Sequence, residues 1–245
     1  MIRREPLGRN NFIYVSEEHT FGTDAVILSR FSTDGALIKK AVDLGTGCGI
    51  IPMLWFKDNA VGSAVGVEIQ KNGAEMFKKT VAENGAGDKI SVLNADLRDL
   101  KGKLPFGEFD LVCCNPPYKA PGAGIKSREK AAEIARHETL CTLDDVVSAA
   151  AHLLKFSGRL CLCHRPERLT DIFASMRKFK IEPKRLRLVF SKEGQEPFLV
   201  LVEGRLGGKS GLRIAQPLYV EKNGKLSEEM LQIYGDYKQD GERKI

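Results

Sequence analysis

AVDLGTGCG, residues 41–49, decides how the rest of the chain is read. An apolar run carrying one acid leads into glycines spaced G-x-G-x-G. A buried strand that ends in a tight turn and opens a helix has this pattern, and open α/β sheets hold ligands at such points. Glycine, without Cβ, lets backbone approach a ligand closely. The third glycine falls one residue short of the dinucleotide fingerprint G-x-G-x-x-G, which argues against NAD and a dehydrogenase.

Outward from this stretch, short apolar runs alternate with segments of helical period, as βα units stacked into a largely parallel sheet do. AVDLG (41–45) reads as the first strand, SAVGVEI (63–69) as the second and ISVLNAD (90–96) as the third. FDLVCCN (109–115) and GRLCLCH (158–164) follow as the fourth and fifth. Late in the chain RLRLVFS (185–191) and FLVLVEG (198–204), split by the polar KEGQEP, form an expected hairpin that closes the sheet with an antiparallel pair. Ala74, Phe77 and Val81 recur on one helical face, and Asn84-Gly85 supplies a left-handed stop. Pro52 fits the first turn of a helix near Ile50, and another helix is expected over 143–154. The chain after Gly211 reads as a surface tail with a short helix near 227–234.

At 245 residues and 42% hydrophobic, the chain suits one α/β domain over 1–245. Residues 1–40 are then an N-terminal elaboration and 205–245 a C-terminal extension. Met1-Ile2-Arg3-Arg4-Glu5 is not followed by a signal-peptide core, and no apolar run approaches a membrane span, so a cytoplasmic protein is expected. The six cysteines lack paired zinc spacing and sit mostly in apolar runs, which implies reduced core residues and no metal. Formal charge is +6, and residues 178–213 hold nine Lys or Arg against four Asp or Glu. A patch of this kind is drawn to polyanions, though a solvated lysine face has the same composition.

Three further positions carry chemistry. Glu68 ends the second strand 23 residues after Gly45, near the offset at which an acid reaches ribose hydroxyls. Its two oxygens can each accept from one hydroxyl of a diol. Asp96 ends the third strand, placed to accept from an adenine amino group or to cap the next helix. Asn115-Pro116-Pro117-Tyr118 ends the fourth. The prolines have no N–H, so carbonyl acceptors dominate the turn. The Asn115 side-chain oxygen and the Pro116 carbonyl can then take the two hydrogens of a planar amine, and Tyr118 offers a face on which a flat base can lie.

Together, Asp43 to Gly49, Glu68, Asp96 and Asn115 to Tyr118 resemble the Rossmann-like, class I S-adenosylmethionine-dependent methyltransferases that act on amino groups. Within these, FGTDAVILS (21–29) and ARHE (135–138) resemble the bacterial tRNA adenine-N6 methyltransferases that modify the adenine 3′ of the anticodon in a valine tRNA. The resemblance implies a mostly parallel seven-stranded sheet with an antiparallel final hairpin and helices on both faces. It implies S-adenosylmethionine as cofactor, tRNA as partner, and Asn115, Pro116, Pro117 and Tyr118 as the catalytic set. Gly45, Gly47 and Gly49 would surround the methionine and ribose portions, with Glu68 on the ribose and Asp96 on the adenine. Asp43 would support the loop or the cofactor amine; Thr23 and Asp24 would hold the methionine end, although GTD equally suits a helix N-cap.

For RNA, Lys119, Lys126 and Arg128 after the turn, and Lys184, Arg185, Arg187 and Lys192 in the basic segment, are the expected backbone contacts. A glutamine-amide protein methyltransferase, an rRNA guanine-N2 methyltransferase and a non-catalytic RNA-binding module remain as alternatives. The sequence sets no oligomeric state.

Overall fold

Alternation along the central strands builds two cores at once, because successive side chains leave a strand on opposite faces. In the computed structural model, which describes residues 1–35, 37–116 and 141–238, Leu111 and Cys113 enter one apolar cluster while Val112 and Cys114 enter the other. Cys161 and Cys163 separate from Leu160 and Leu162 in the same way. Strands buried on both faces read as continuous apolar runs, which is why the middle of the chain was legible as parallel sheet.

In chain order the strands are β1 (Arg3–Gly8), β2 (Asn11–Val15), β3 (Ile38–Leu44), β4 (Val61–Glu68), β5 (Ile90–Asn94) and β6 (Phe109–Cys114). They continue with β7 (Leu154–His164), β8 (Ile181–Lys192), β9 (Pro197–Leu206), β10 (Arg213–Ile214), β11 (Leu218–Lys222) and β12 (Lys225–Leu226). The described helices are α1 (Thr23–Thr33), α2 (Ile50–Lys57), α3 (Lys71–Glu83), α4 (Leu143–Leu153), α5 (Leu169–Lys178) and α6 (Glu228–Tyr234).

The expected seven strands lie in the order β5-β4-β3-β6-β7-β9-β8. β3 to β7 pair in parallel, and β9 runs antiparallel to both of its neighbours. The α1, α2 and α3 helices cover one face, and α4 and α5 the other. The chain reverses its direction of travel across the sheet between β3 and β6, the switch point where a crevice opens beyond the strand ends. Among the described residues no helix is long and apolar enough to cross a membrane.

Two parts depart from the sequence reading. The segment after Gly211 is not a surface tail: β11 adds to the sheet edge in parallel with β8, β12 pairs with β11, and Leu218, Met230 and Tyr234 are buried. Only its helix was foreseen, capped by the Ser227 side chain, which accepts from Met230 N. The first forty residues contain an unforeseen hairpin, β1 with β2. Asn84, the stop residue of α3, clamps it in place: Asn84 Oδ1 accepts from Phe12 N, and Nδ2 donates to Phe12 O, both at 3.0 Å. Beyond the hairpin the chain enters α1 at Thr23. There Thr23 Oγ1 and Tyr234 Oη share a 2.8 Å hydrogen bond, so the C-terminal extension braces the same segment.

Candidate active site

Strand register brings the sequence-predicted residues to one edge. Leu44 pairs with Val67 on one side and with Cys114 on the other. The next residue of each strand is therefore Gly45, Glu68 or Asn115, side by side at the carboxyl edge. Gly45, Gly47, Glu68, Asp96, Asn115, Pro116 and Asp24 all line one cleft of about 860 Å³. Clefts that take small ligands fall within roughly 300–1,000 Å³.

The glycine loop is anchored from below: Gly45 N and Thr46 N both donate to Val67 O, at 2.9 and 3.0 Å. At Gly45 and Gly47 the backbone is left-handed, and a Cβ would project into open space. Gly49 differs. Its φ of +87° caps α2 in the left-handed region, and a Cβ there would lie 2.1 Å from the Phe77 ring. Gly49 thus packs the loop against α3 and does not line the cleft. Gly49→Ala is expected to cost about 2–4 kcal/mol, combining left-handed strain with overpacking; thermal unfolding of the variant measures it.

Glu68 is buried, and its carboxylate accepts from Gly47 N through Oε2 and from Gln70 N through Oε1, each at 2.8 Å. Each oxygen retains a lone pair for a hydroxyl in the cleft. Asp96 accepts from Arg98 N at 2.9 Å and takes the Arg98 guanidinium through both oxygens. Those hydrogen bonds from Arg98 hold its carboxyl below the ordinary carboxylate range.

Asp43 lies under the loop, 2% exposed and outside the cleft lining, with Oδ1 buried and unpartnered among the described residues. Of the two roles expected for it, this location suits support of the loop. Burial pushes its carboxyl up to about 7; the Thr46 hydroxyl beside it pulls the other way, and the Glu68 charge adds to the rise. Between the ordinary value of 3.8 and about 7 the folded chain keeps a proton that the unfolded chain has lost. Stability contributed at this site therefore falls as pH rises through that window. Urea unfolding of wild type and Asp43→Asn at pH 5 and pH 8 tests this: the wild type should lose about 3 kcal/mol more than the variant over that interval.

At the start of α1, GTD supplies the N-cap through its glycine and not through the Thr23 or Asp24 side chain. The N-cap is Gly22, without a side-chain cap, and Thr23 lies outside the cleft lining, bonded to Tyr234. Asp24 does reach the cleft, where its Oδ2 accepts from Asn115 Nδ2 at 3.2 Å. Pro117, Tyr118, Lys119, Lys126 and Arg128 lie outside the described residues.

The basic segment is corrected in part. Arg185 is 8% exposed, pairs with Asp34 at 2.9 Å and Glu203 at 3.0 Å, and donates to Phe31 O, so it is an internal cross-link and not a backbone grip. Arg187 is held by Glu229 at 2.7 Å and donates to Gln216 O. Lys184 donates to Lys209 O, and Lys192 stands exposed at the end of β8. Counting charges along a segment overlooked partners more than a hundred residues away.

His19 is a cleft residue that the sequence reading passed over. It is 6% exposed, and its Nε2 has no hydrogen-bond partner among the described residues. The imidazole sits where a Cβ on Gly73 would be, 2.7 Å from that position, with Glu68 Cγ 3.2 Å from it. The signal in the sequence was Gly73 itself, an isolated glycine inside a helical pattern, which commonly marks close packing. Cys48, inside the glycine loop, is buried, and burial pushes its thiol up to about 12. It is a core residue. Among the described residues no group of three or more His, Cys, Asp or Glu is arranged to hold a metal ion.

Comparison with known proteins places these features in a family. The methyltransferase small domain model matches residues 13–177. A tRNA1(Val) (adenine(37)-N6)-methyltransferase of Porphyromonas gingivalis is 28% identical over 189 residues, covering 75% of this chain and 73% of the relative. The protein of the same name in Photobacterium profundum is 23% identical over 219 residues, covering 88% and 89%. Among solved structures, a predicted O-methyltransferase from Agrobacterium tumefaciens superposes with a TM-score of 0.70 at 20% identity, covering 88% of this chain and 97% of that one. The fold is thus that of class I methyltransferases. With a glycine loop, a strand-end acid and Asn115 on one cleft, and two thirds of its length matched, the chain belongs to the methyltransferase small domain family.

Proposed function

We propose that this chain methylates the exocyclic amino group of an adenine in tRNA, next to the anticodon of a valine tRNA. The broader activity, methyl transfer with S-adenosylmethionine as cofactor, stands on family membership. The observation that carries the finer reading is Asn115, brought by β6 to the same cleft as Glu68 and the glycine loop. A methyltransferase directed at oxygen or carbon has no need of a strand-end amide acceptor. The names of the relatives support the choice of adenine and of tRNA.

The residues present fit the cofactor. Glu68 has acceptor capacity left beyond its two backbone donors, a Cβ at Gly45 or Gly47 would meet open space, and His19 Nε2 has no hydrogen-bond partner among the described residues. In this reading Gly45 and Gly47 border the methionine and ribose portions, Glu68 takes the diol, Asp96 meets the adenine edge, and Asp24 lies toward the methionine end. When bound, S-adenosylmethionine supplies an electrophilic methyl group.

The chain's own contribution is orientation. Asn115 Oδ1 and the Pro116 carbonyl accept the two hydrogens of the target amine, which turns its lone pair out of conjugation and steadies the positive charge that grows on nitrogen. No base has to act before attack, and the proton leaves afterwards to water. A stacked base must be swung out at a cost of a few kcal/mol. Stacking on Tyr118 offsets roughly 1–3 kcal/mol of it, and an anticodon-loop base is weakly held from the start. Lys184 and Lys192, with Lys119, Lys126 and Arg128, are the backbone contacts of this proposal.

Methylation of bulk tRNA from a strain lacking the protein, with labelled cofactor and nucleoside mass spectrometry, tests it. N6-methyladenosine is expected. N2-methylguanosine, or label confined to protein glutamine, would overturn the choice of acceptor.

A further inference from the structure

Asn115 is held from two sides by groups of opposite character. Cys163, near the C-terminal end of β7, is fully buried, and its Sγ donates to Asn115 Oδ1 across 3.0 Å. Register explains the meeting: Cys114 pairs with Leu162, so the next residues, Asn115 and Cys163, lie level at the same edge. On the other flank Asn115 Nδ2 donates to Asp24 Oδ2 at 3.2 Å.

These partners decide which way round the amide sits. A carboxylate only accepts, so it requires the NH₂ end; a protonated thiol donates, so it requires the oxygen. Turning the amide by half a rotation would set its oxygen against the Asp24 carboxylate and its NH₂ against the thiol hydrogen. Burial, reinforced by the Asp24 charge, holds the Cys163 thiol well above its ordinary range. The thiol therefore keeps its proton wherever the enzyme works. An amide oxygen has two lone pairs. With one taken by Cys163, the other remains for an N–H arriving in the cleft.

We propose that Cys163 is a positioning residue for methyl transfer: its thiol hydrogen bond locks the Asn115 amide with one acceptor lone pair presented to the substrate amine. Cys163 does not line the cleft, so it acts only through Asn115. The inference rests on the acceptor role given to Asn115 above.

Cys163→Val keeps the side chain small and apolar while removing the donor, and Cys163→Ser restores a donor as a hydroxyl. Turnover on bulk tRNA should fall about tenfold in the valine variant, the equivalent of ~1.4 kcal/mol. It should recover to within about threefold of wild type in the serine variant. Affinity for S-adenosylmethionine, measured by calorimetry, should stay within about twofold in both. If the valine variant does not fold, Cys163→Ala replaces it.

A readout that needs no acceptor substrate is the Asn115 side-chain amide signal in a ¹H–¹⁵N spectrum, assigned by its loss in Asn115→Ala. It should move and broaden in the valine variant and sharpen again with serine. Wild-type turnover in the valine variant, a serine variant no better than valine, or cofactor affinity falling in step with rate would each overturn the proposal. Retained turnover in Asn115→Ala would instead overturn the reading of Asn115 on which it rests.

Discussion

Asn115→Ala is expected to lose at least ~100-fold in turnover while binding S-adenosylmethionine within about threefold of wild type. Removing one preorganised group aimed at developing charge typically costs 10²–10³ in rate. Here the substitution also deletes the contact to Asp24 and leaves the Cys163 thiol without its acceptor. Two of its effects therefore fall on positioning and one on charge, and all concern the amine being methylated. Glu68 and the glycine loop, to which the proposal gives the cofactor, come from other strands and remain in place. Single-turnover kinetics with saturating cofactor, set beside calorimetry, separate the two quantities. A variant that loses cofactor affinity as steeply as rate would show that Asn115 belongs to the donor half of the cleft.

The second large effect belongs to Glu68→Ala, which should weaken S-adenosylmethionine binding by ~100-fold or more. Two hydrogen bonds to a charged acceptor contribute about 1.5–3 kcal/mol each, and tenfold in affinity corresponds to roughly 1.4 kcal/mol. The loss is compounded because Gly47 N and Gln70 N both donate to this carboxylate, so alanine also loosens the loop. Glu68→Gln separates the contributions. One amide oxygen still accepts, but the NH₂ end meets a backbone donor, so the glutamine variant should fall between wild type and alanine. At cofactor concentrations far above the weakened Kd, turnover of both variants should return to within about tenfold of wild type. A rate defect that saturating cofactor does not relieve would count against the division of labour between Glu68 and Asn115.

Sequence carried the centre of this molecule further than its margins. Strands such as FDLVCC are buried on both faces, and runs of that kind announce themselves without reference to anything distant. Gly45, Glu68 and Asn115 were legible for a related reason: each ends a strand, and parallel strands deliver their ends to one edge. The contacts that orient them were not legible. Cys163 sits 48 positions from Asn115, and Asp24 sits 91 away, and nothing local in either segment names the partner. Arg185 shows the same blindness in reverse, since Asp34, 151 positions earlier, converts an apparent surface charge into a buried cross-link. The hairpin of β1 and β2 escaped because five- and six-residue strands carry little alternation, and its turn is built from Arg9 and Asn10 in left-handed conformations. β11 escaped because LYVEK is short and half-exposed at a sheet edge.

The bond between Thr23 and Tyr234 spans 211 positions. It ties the C-terminal extension to the start of α1, one residue before the Asp24 that accepts from Asn115. Removing the extension is thus expected to loosen the start of α1 and, through Asp24, the hold on the Asn115 amide.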